Sequence, residues 1–564
     1  MFTVESNSFT ELDQTLSDLA AASVRWRDTS LEDRIDLLRR TVQTVRMQAD
    51  EWVAVACQAK GISPDSNLAA EEISAGPLAT IRYLQLLINT LEALAQNKPL
   101  PIVGSLSEDT DGRLLVPVLP ARGLFDSIVF RGFTAQVRMQ QGIMPANIAE
   151  HWGAYYHQAP ADRPTGVSLV LGAGNVSSIG PTDALYKIFM DGHAVLLKMN
   201  PVNDYLLPVF YQAFAPLFLR QILWIVKADS AISSYIAHHN SINDVHITGS
   251  IDTHQAIVWG SNPAERATRI AANDPLLKKP ITSELGNVTP WIIIPHKYTA
   301  RELDFQAENF VTSIVNNASF NCIASKVLIT QGQWPQRTDF INLVQEMLQR
   351  VPRRLAYYPG AADRFARFAQ TDASKVEKNL PWTLIPDVTP QSHPEHFSSE
   401  SFVCVAVETA LDANSPEEFL EKAVDFANDR IEGTLGVTLI VHPQFRKRRG
   451  NEQRLRSAIA RLRYGTVAIN HWSAIGYANM GSPWGGYPGG MLADPKSGIG
   501  WVHNTLLLDG IEKTILEGPL TVWPKPAWFC FNRNARALSR QAVELYAKPS
   551  VLRLPRLLWS AVTA

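Results

Sequence analysis

Between residues 165 and 295 five short apolar runs, VSLVLG (167–172), AVLLK (194–198), ILWIVKA (222–228), VHITG (245–249) and WIII (291–294), are separated by helix-compatible segments. None of the five alternates polar with apolar side chains, so each suits a strand buried on both faces. Strand–helix–strand repetition of this kind folds into a parallel α/β sheet with right-handed crossovers, whose carboxyl edge commonly binds a nucleotide. The flanking sequence differs. Residues 10–60 and 67–96 are helix-compatible, with apolar positions such as Leu37, Leu38, Val42 and Val45 recurring every three or four residues. From 108 to about 138 the pattern is strand-like and interrupted by Pro117, Pro120 and Gly123, and a second α/β stretch covers roughly 300–475. Residues 521–564 are basic, rich in Trp and punctuated by Pro524, Pro526, Pro549 and Pro555.

The chain has 564 residues, 46% hydrophobic and 19% charged, which is enough for two or three packed units. A net charge of −2 creates no field that would draw it to nucleic acid. Its four cysteines, Cys57, Cys322, Cys404 and Cys530, lack CxxC or Cys/His spacing, so neither a disulfide framework nor a metal site is expected. The segment MFTVESNSFTELDQ has neither the basic start nor the apolar core of a leader. The most apolar stretch, 184–197, is broken by Lys187, Asp191 and Gly192, short of the roughly 18 to 20 residues that span a bilayer. These features lead us to expect a soluble, cytoplasmic protein.

Gly172-Ala173-Gly174-Asn175-Val176-Ser177 begins like a dinucleotide fingerprint, but the third glycine is missing and no acidic residue ends the next strand. Lys198 ends that strand instead, where an ammonium can reach a ribose or phosphate. Thr248-Gly249-Ser250 ends another, and Ser250 suits the N-cap of a helix over 251–258, whose free N–H groups would face a pyrophosphate. Further along lie ITSELGN (281–287), FNCIASK (320–326), ESFVCVAVE (400–408), YGTVAIN (464–470), SPWGGYPGG (482–490) and SGIGW (497–501). In this order the segments resemble the motifs of the aldehyde dehydrogenase superfamily, over about residues 15 to 515. The resemblance implies an α/β fold with a Rossmann-like parallel-sheet cofactor domain and an α/β catalytic domain. By that likeness 1–285 is the nucleotide-binding domain, with oligomerisation strands near 108–138. Residues 286–475 are the catalytic domain, 476–520 return to the cofactor domain and carry an oligomerisation segment, and 521–564 are an extension outside the resemblance. A homodimer or homotetramer is implied as well.

The resemblance also assigns roles. Cys322 is the nucleophile that adds to an aldehyde, giving a thiohemiacetal able to release hydride to NAD or NADP. Glu284 is the general base, and Asn175, with the Cys322 backbone N–H, the oxyanion donor. Lys198, Gly249, Ser250, Leu285, Glu400 and Phe402 hold the cofactor. Cys404 sits inside an apolar run and reads as a packed small hydrophobe. The chain departs from the family in three places. Gly286-Asn287 replaces a glycine pair, Pro201 replaces a carboxylate that would repel a 2′-phosphate, and GNVSS surrounds the oxyanion Asn. The last feature is similar to the fatty acyl-CoA reductase branch, so reduction of an acyl thioester is the alternative activity, with a catalytically silent relative as a third. The basic stretch Arg446–Arg463 is expected to be a solvated helix face or an anion handle. The extension is expected to pack on the body, with a subunit interface or a membrane surface as its alternatives.

Overall fold

A computed structural model describes residues 9–564. Most of the segment MFTVESNSFTELDQ, residues 1–8, lies outside the described residues. Three helices open the chain, α1 (Phe9–Arg27), α2 (Leu31–Ala59) and α3 (Ala79–Ala95). Their apolar faces are buried; Leu37, Leu38, Val42 and Val45 of α2 are each at most 1% exposed. Ser30 caps α2 by accepting from the Asp33 N–H, an interaction typically worth about 1 kcal/mol.

Strands β1 (Leu114–Leu119) and β2 (Thr134–Met139) come next and pair antiparallel. The intervening residues, read above as broken strand, include a short helix, Gly123–Val129. Asp126 forms it: its carboxylate accepts from the Ala121 and Arg122 N–H groups and pairs with the buried Arg82 guanidinium.

Strands β3 (Val167–Leu171), β4 (Ala194–Lys198), β5 (Leu223–Val226), β6 (Asp244–Thr248) and β7 (Ile281–Glu284) form a parallel sheet in the order β7-β6-β3-β4-β5. Helix α4 (Ile179–Tyr186) follows β3, and α5 (Ile251–Trp259) follows β6. Residues Gly498–Ile499 return to add an antiparallel sixth strand beside β7.

The remaining strands are β8 (Thr289–Ile293), β9 (Ser325–Gln331), β10 (Val405–Leu411), β11 (Gly436–Ile440), β12 (Thr466–Ile469) and β13 (Ile511–Glu517). With β1, β2 and two short edge strands they build a ten-stranded sheet, ordered β1-β2-β13-β12-β11-β8-β9-β10 between those edges. The WIII run therefore belongs to this second sheet and not to the first. Asn287 turns the chain between them, its amide donating to Thr289 Oγ1 and the Gly436 carbonyl. Of the strands where the sequence suggested association, β1 pairs with β2, and β2 pairs on its other side with β13 of the same chain.

Helix α6 (Ala300–Val315), started by a Thr299/Glu302 capping box, runs toward the loop that carries Cys322. The basic stretch covers α8 (Asn451–Arg461), which packs on α7 (Pro416–Arg430). Arg461 pairs with Glu421 and Asp425, Arg463 with Asp429, and Arg446 with Glu452 and Glu517. Acidic neighbours thus neutralise much of this face. The extension does pack on the body: α9 (Ala535–Ala547) lies against α2 and α3 and is followed by α10 (Leu554–Val562). Tyr546 of α9 donates to Asp126, joining the buried Arg82–Asp126 pair. Among the described residues no helix is long and apolar enough to cross a membrane.

Candidate active site

The carboxyl edge of the smaller sheet sets out the polar residues in a row. Leu171 is in register with Lys198 on one side and Ile247 on the other, and Thr248 is in register with Glu284. Lys198, the Gly172 turn, Gly249-Ser250 and Glu284 therefore follow one another along a single edge.

Glu284, at the end of β7, is 2% exposed and its backbone carbonyl accepts from the Gly249 N–H. Cys322 lies in the loop between α6 and β9, and its Sγ donates to Glu284 Oε1 at 3.1 Å. Burial pushes the Cys322 thiol well above its ordinary range, and the Glu284 charge pushes it further. Burial likewise raises the Glu284 carboxyl, against the hydrogen bond from the thiol. Both shifts favour the protonated forms, and the hydrogen bond sets a path along which the thiol proton could pass to the carboxylate.

The nucleophile loop is strained. Asn317, Ala318 and Ser319 are consecutively left-handed, at φ of 51°, 53° and 70°. Each non-glycine residue in that region costs about 1 kcal/mol or more. Polar contacts hold the turn: the Asn317 N–H donates to Glu71, and its Oδ1 accepts from Lys60 Nζ at 3.0 Å and from the Tyr357 hydroxyl at 2.9 Å. Lys60 in turn pairs with buried Glu72 at 2.7 Å. None of these five residues stood out in the sequence, because side chains from positions 60, 71, 72, 317 and 357 meet only through the tertiary fold. The one local signal was Asn316-Asn317, a residue type that tolerates the left-handed region.

Asn175, on the loop after β3, donates through Nδ2 to the Phe320 carbonyl at 2.9 Å. Together with Cys322 and Glu284 it lines a cavity of about 500 Å³. Val176 and Ile179, the next residues of that loop and the start of α4, line it too. The incomplete glycine fingerprint thus faces this cavity. Trp472, Tyr477 and Trp484 were missed by sequence reasoning and also line it, as do Trp528 and Phe529 of the extension.

The cofactor candidates form two groups outside the cavity lining. Lys198, Gly249 and Ser250 lie along the sheet edge, the last two exposed. Burial lowers the Lys198 ammonium, with Asp229 and Asp204 acting in the opposite sense. Ser250 caps α5 by accepting from the Thr253 N–H, and so the helix start is open to solvent. The second group gathers at the turn after β7. Leu285 is 1% exposed and its N–H is taken by the Ser497 carbonyl, leaving little surface for a ligand. Glu400 comes so close that a Cβ on Gly286 would sit 2.3 Å from its Oε2. Its buried Oε1 has no hydrogen-bond partner among the described residues. Burial pushes the Glu400 carboxyl up to about 7, against the nearby Lys326 ammonium. Phe402, itself left-handed at φ 46°, packs with its ring centroid 5.0 Å from that of Tyr358.

An orphaned carboxylate oxygen, a glycine that clears space for it, and an open helix N-terminus fit a ligand with hydroxyls and phosphates, as a dinucleotide has. Among the described residues no cluster of His, Cys, Asp or Glu is arranged to hold a metal. Cys404 is buried with its thiol pushed up to about 12, an inert packing residue.

Residues 128–354 match the sequence profile described as the aldehyde dehydrogenase family. No curated protein matches the chain. Among solved structures, the NADP-dependent glyceraldehyde-3-phosphate dehydrogenase of Bacillus halodurans, complexed with NADP, is similar at 16% identity and a TM-score of 0.58, covering 90% of this chain and 91% of that one. Aldehyde dehydrogenase 21 of Physcomitrella patens, in complex with the reaction product succinate, shows 13% identity and a TM-score of 0.57, with 90% of each chain covered. The betaine aldehyde dehydrogenase of Staphylococcus aureus shows 16% identity and a TM-score of 0.56, covering 92% of this chain and 89% of that one.

Proposed function

We propose that the chain is a member of the aldehyde dehydrogenase superfamily, as the profile match over 128–354 and the shared fold support, and that it oxidises an aldehyde to a carboxylic acid with NAD or NADP, using Cys322 as covalent nucleophile. The observation that carries this reading is the 3.1 Å hydrogen bond from the Cys322 thiol to Glu284 in a cavity shared with Asn175.

Glu284 takes the thiol proton as Cys322 Sγ adds to the aldehyde carbon. The oxygen, now negative, is stabilised by the Asn175 amide and the Cys322 backbone N–H. A bound nicotinamide dinucleotide supplies the acceptor for the hydride that leaves this carbon. Glu284 releases the thiol proton to solvent and then takes a proton from water as the water attacks the Cys322 thioester; passing that proton to the departing sulfur releases the acid and restores the thiol. Asn175 and Glu284 thus act on the same carbon from groups fixed before substrate arrives.

Glu400, with its free oxygen, would accept from the nicotinamide ribose, and Phe402 would pack beside the ring. Lys198 would meet the adenosine side, with the open start of α5 toward the pyrophosphate. With Pro201 where a repelling carboxylate would stand, NADP is accepted alongside NAD. The alternative, acyl transfer to or from a CoA thiol, has no need to activate water, and Glu284 as a base for water supports the hydrolytic reading over it. The chain would assemble as a homodimer or homotetramer, with the edge of the larger sheet near 108–138 available for association.

The test is an assay of aldehydes with NAD and NADP, following reduced cofactor, on wild type and Cys322→Ala. The Ala variant is expected to bind dinucleotide and fold normally while losing turnover. Turnover of that variant near the wild-type rate contradicts the assignment.

A further inference from the structure

The cavity that begins at Cys322 does not end within the residues resembling the family. Its far side is made by residues 527–535 of the C-terminal extension, Trp528 and Phe529 among them. This wall is fastened to the helix that leads into the nucleophile loop. The Cys530 N–H donates to Thr312 Oγ1 at 3.0 Å and the Phe531 N–H to Glu308 Oε1 at 3.2 Å. Lys525 Nζ pairs with Glu308 Oε2 at 2.7 Å. Both Thr312 and Glu308 belong to α6. The Asn532 amide closes the turn onto the Lys525 and Pro526 carbonyls. Phe529 stacks against Phe305 of the same helix with centroids 4.9 Å apart, and Trp528 meets Phe133 at 5.7 Å. The wall and the nucleophile therefore share one rigid support.

The chemistry of the lining restricts what can enter. Val176, Ile179, Ile323, Trp472 and Tyr477 line the same cavity as Cys322 and the wall. The buried cations of the cavity are already matched, Lys60 by Glu72 at 2.7 Å and Arg354 by Glu71 at 2.7 Å, whereas Arg353 is exposed to solvent. A carboxylate or phosphate on the substrate would be desolvated here without a partner, which is strongly unfavourable. We propose that this site takes uncharged, largely apolar aldehydes and that residues 525–535, through Trp528 and Phe529, are the specificity-determining wall of its tunnel. The inference rests on the aldehyde-oxidising reading for the reaction, and on the lining alone for the ligand class.

The experiment uses the full chain, wild type and the variants Trp528→Ala and Phe529→Ala, each first checked for folding by its melting profile. Two readouts are taken. The first is kcat/KM for straight-chain aldehydes from propanal to decanal and for succinic semialdehyde. For wild type it should rise about fourfold per added methylene until the tunnel is filled. Succinic semialdehyde should fall at least about a hundredfold below butanal. Each folded variant should lower the decanal-to-propanal ratio by about tenfold, the loss of between one and two methylenes' worth of contact. The second readout needs no turnover: decanamide, which cannot be oxidised, should raise the Tm of wild type more than that of either variant, and succinamate should not raise it. If propanal is oxidised but kcat/KM does not rise with length and decanamide is without effect, the inference is overturned and the aldehyde-oxidising reading stands. If decanamide stabilises the protein while no aldehyde is oxidised, that reading falls and the ligand class stands. A ratio unchanged within about twofold in a folded variant overturns the role of the wall. Should one variant not fold, the other decides.

Discussion

Cys322, Glu284 and Asn175 come from three separate elements, yet each is placed by a backbone feature. Glu284 ends a strand, Cys322 follows a strained turn, and Asn175 sits on the loop that a dinucleotide fingerprint would otherwise occupy. Asn175 donates one N–H to the nucleophile loop and faces the same cavity, so its loss should act on turnover. Asn175→Ala is expected to lower kcat by about 10² to 10³, the usual scale for one oxyanion donor. A variant that melts far below wild type but keeps its kcat would make the residue structural. Glu400 yields a pH dependence. Its carboxyl is raised by burial to about 7, so it is mostly protonated below that pH and ionised above it. An ionised carboxylate accepts a ribose hydroxyl more strongly than a neutral one. The KM for dinucleotide should therefore fall by up to about tenfold as pH rises from about 6 to about 8, and Glu400→Gln should flatten that change. An unaltered slope in the Gln variant would assign the titration to another group.

At the scale of elements, residue types with a fixed chemical task were legible and tertiary meetings were not. The apolar runs at 167–172, 194–198, 222–228 and 245–249 became neighbouring parallel strands, and Ser250 became the helix cap its position suggested. WIII was apolar in the same way, and nothing in its composition showed that Asn287 would turn it into the other sheet. The helix at 123–129 was hidden as well, because it depends on Asp126 meeting Arg82, 44 residues away, and Tyr546, 420 residues away. That buried trio also docks the extension. Removing one partner of a buried ion pair leaves the other charge uncompensated, so Asp126→Asn should destabilise the protein by about 3 to 5 kcal/mol. The fall in Tm should match that of a strongly destabilised variant, and the 521–564 segment should become more accessible to protease. A Tm within a degree or two of wild type would mean that Arg82 finds another acceptor.

For the whole molecule, the proposed function has the smaller sheet offer its carboxyl edge to the cofactor, while the second sheet and α6 bring Cys322 to Glu284. The extension then closes the far side of the cavity. Because Trp528 and Phe529 lie some two hundred residues beyond the nucleophile, no motif spacing pointed to them. The account's central claim is that Cys322 carries an acyl group which Glu284 helps water to remove. Rapid-mixing kinetics of Glu284→Gln with aldehyde and NAD or NADP tests it most directly. The amide keeps the shape of the carboxylate but cannot accept a proton, a function typically worth 10² to 10⁴ in rate. The expected result is a burst of about one reduced cofactor per active site, slower than in wild type because the thiol has lost its base, followed by a stall as the acyl-enzyme. Full turnover restored by added CoA, in a protein whose wild type is also faster with CoA than with water, would contradict the account and assign the chain to acyl-CoA reduction.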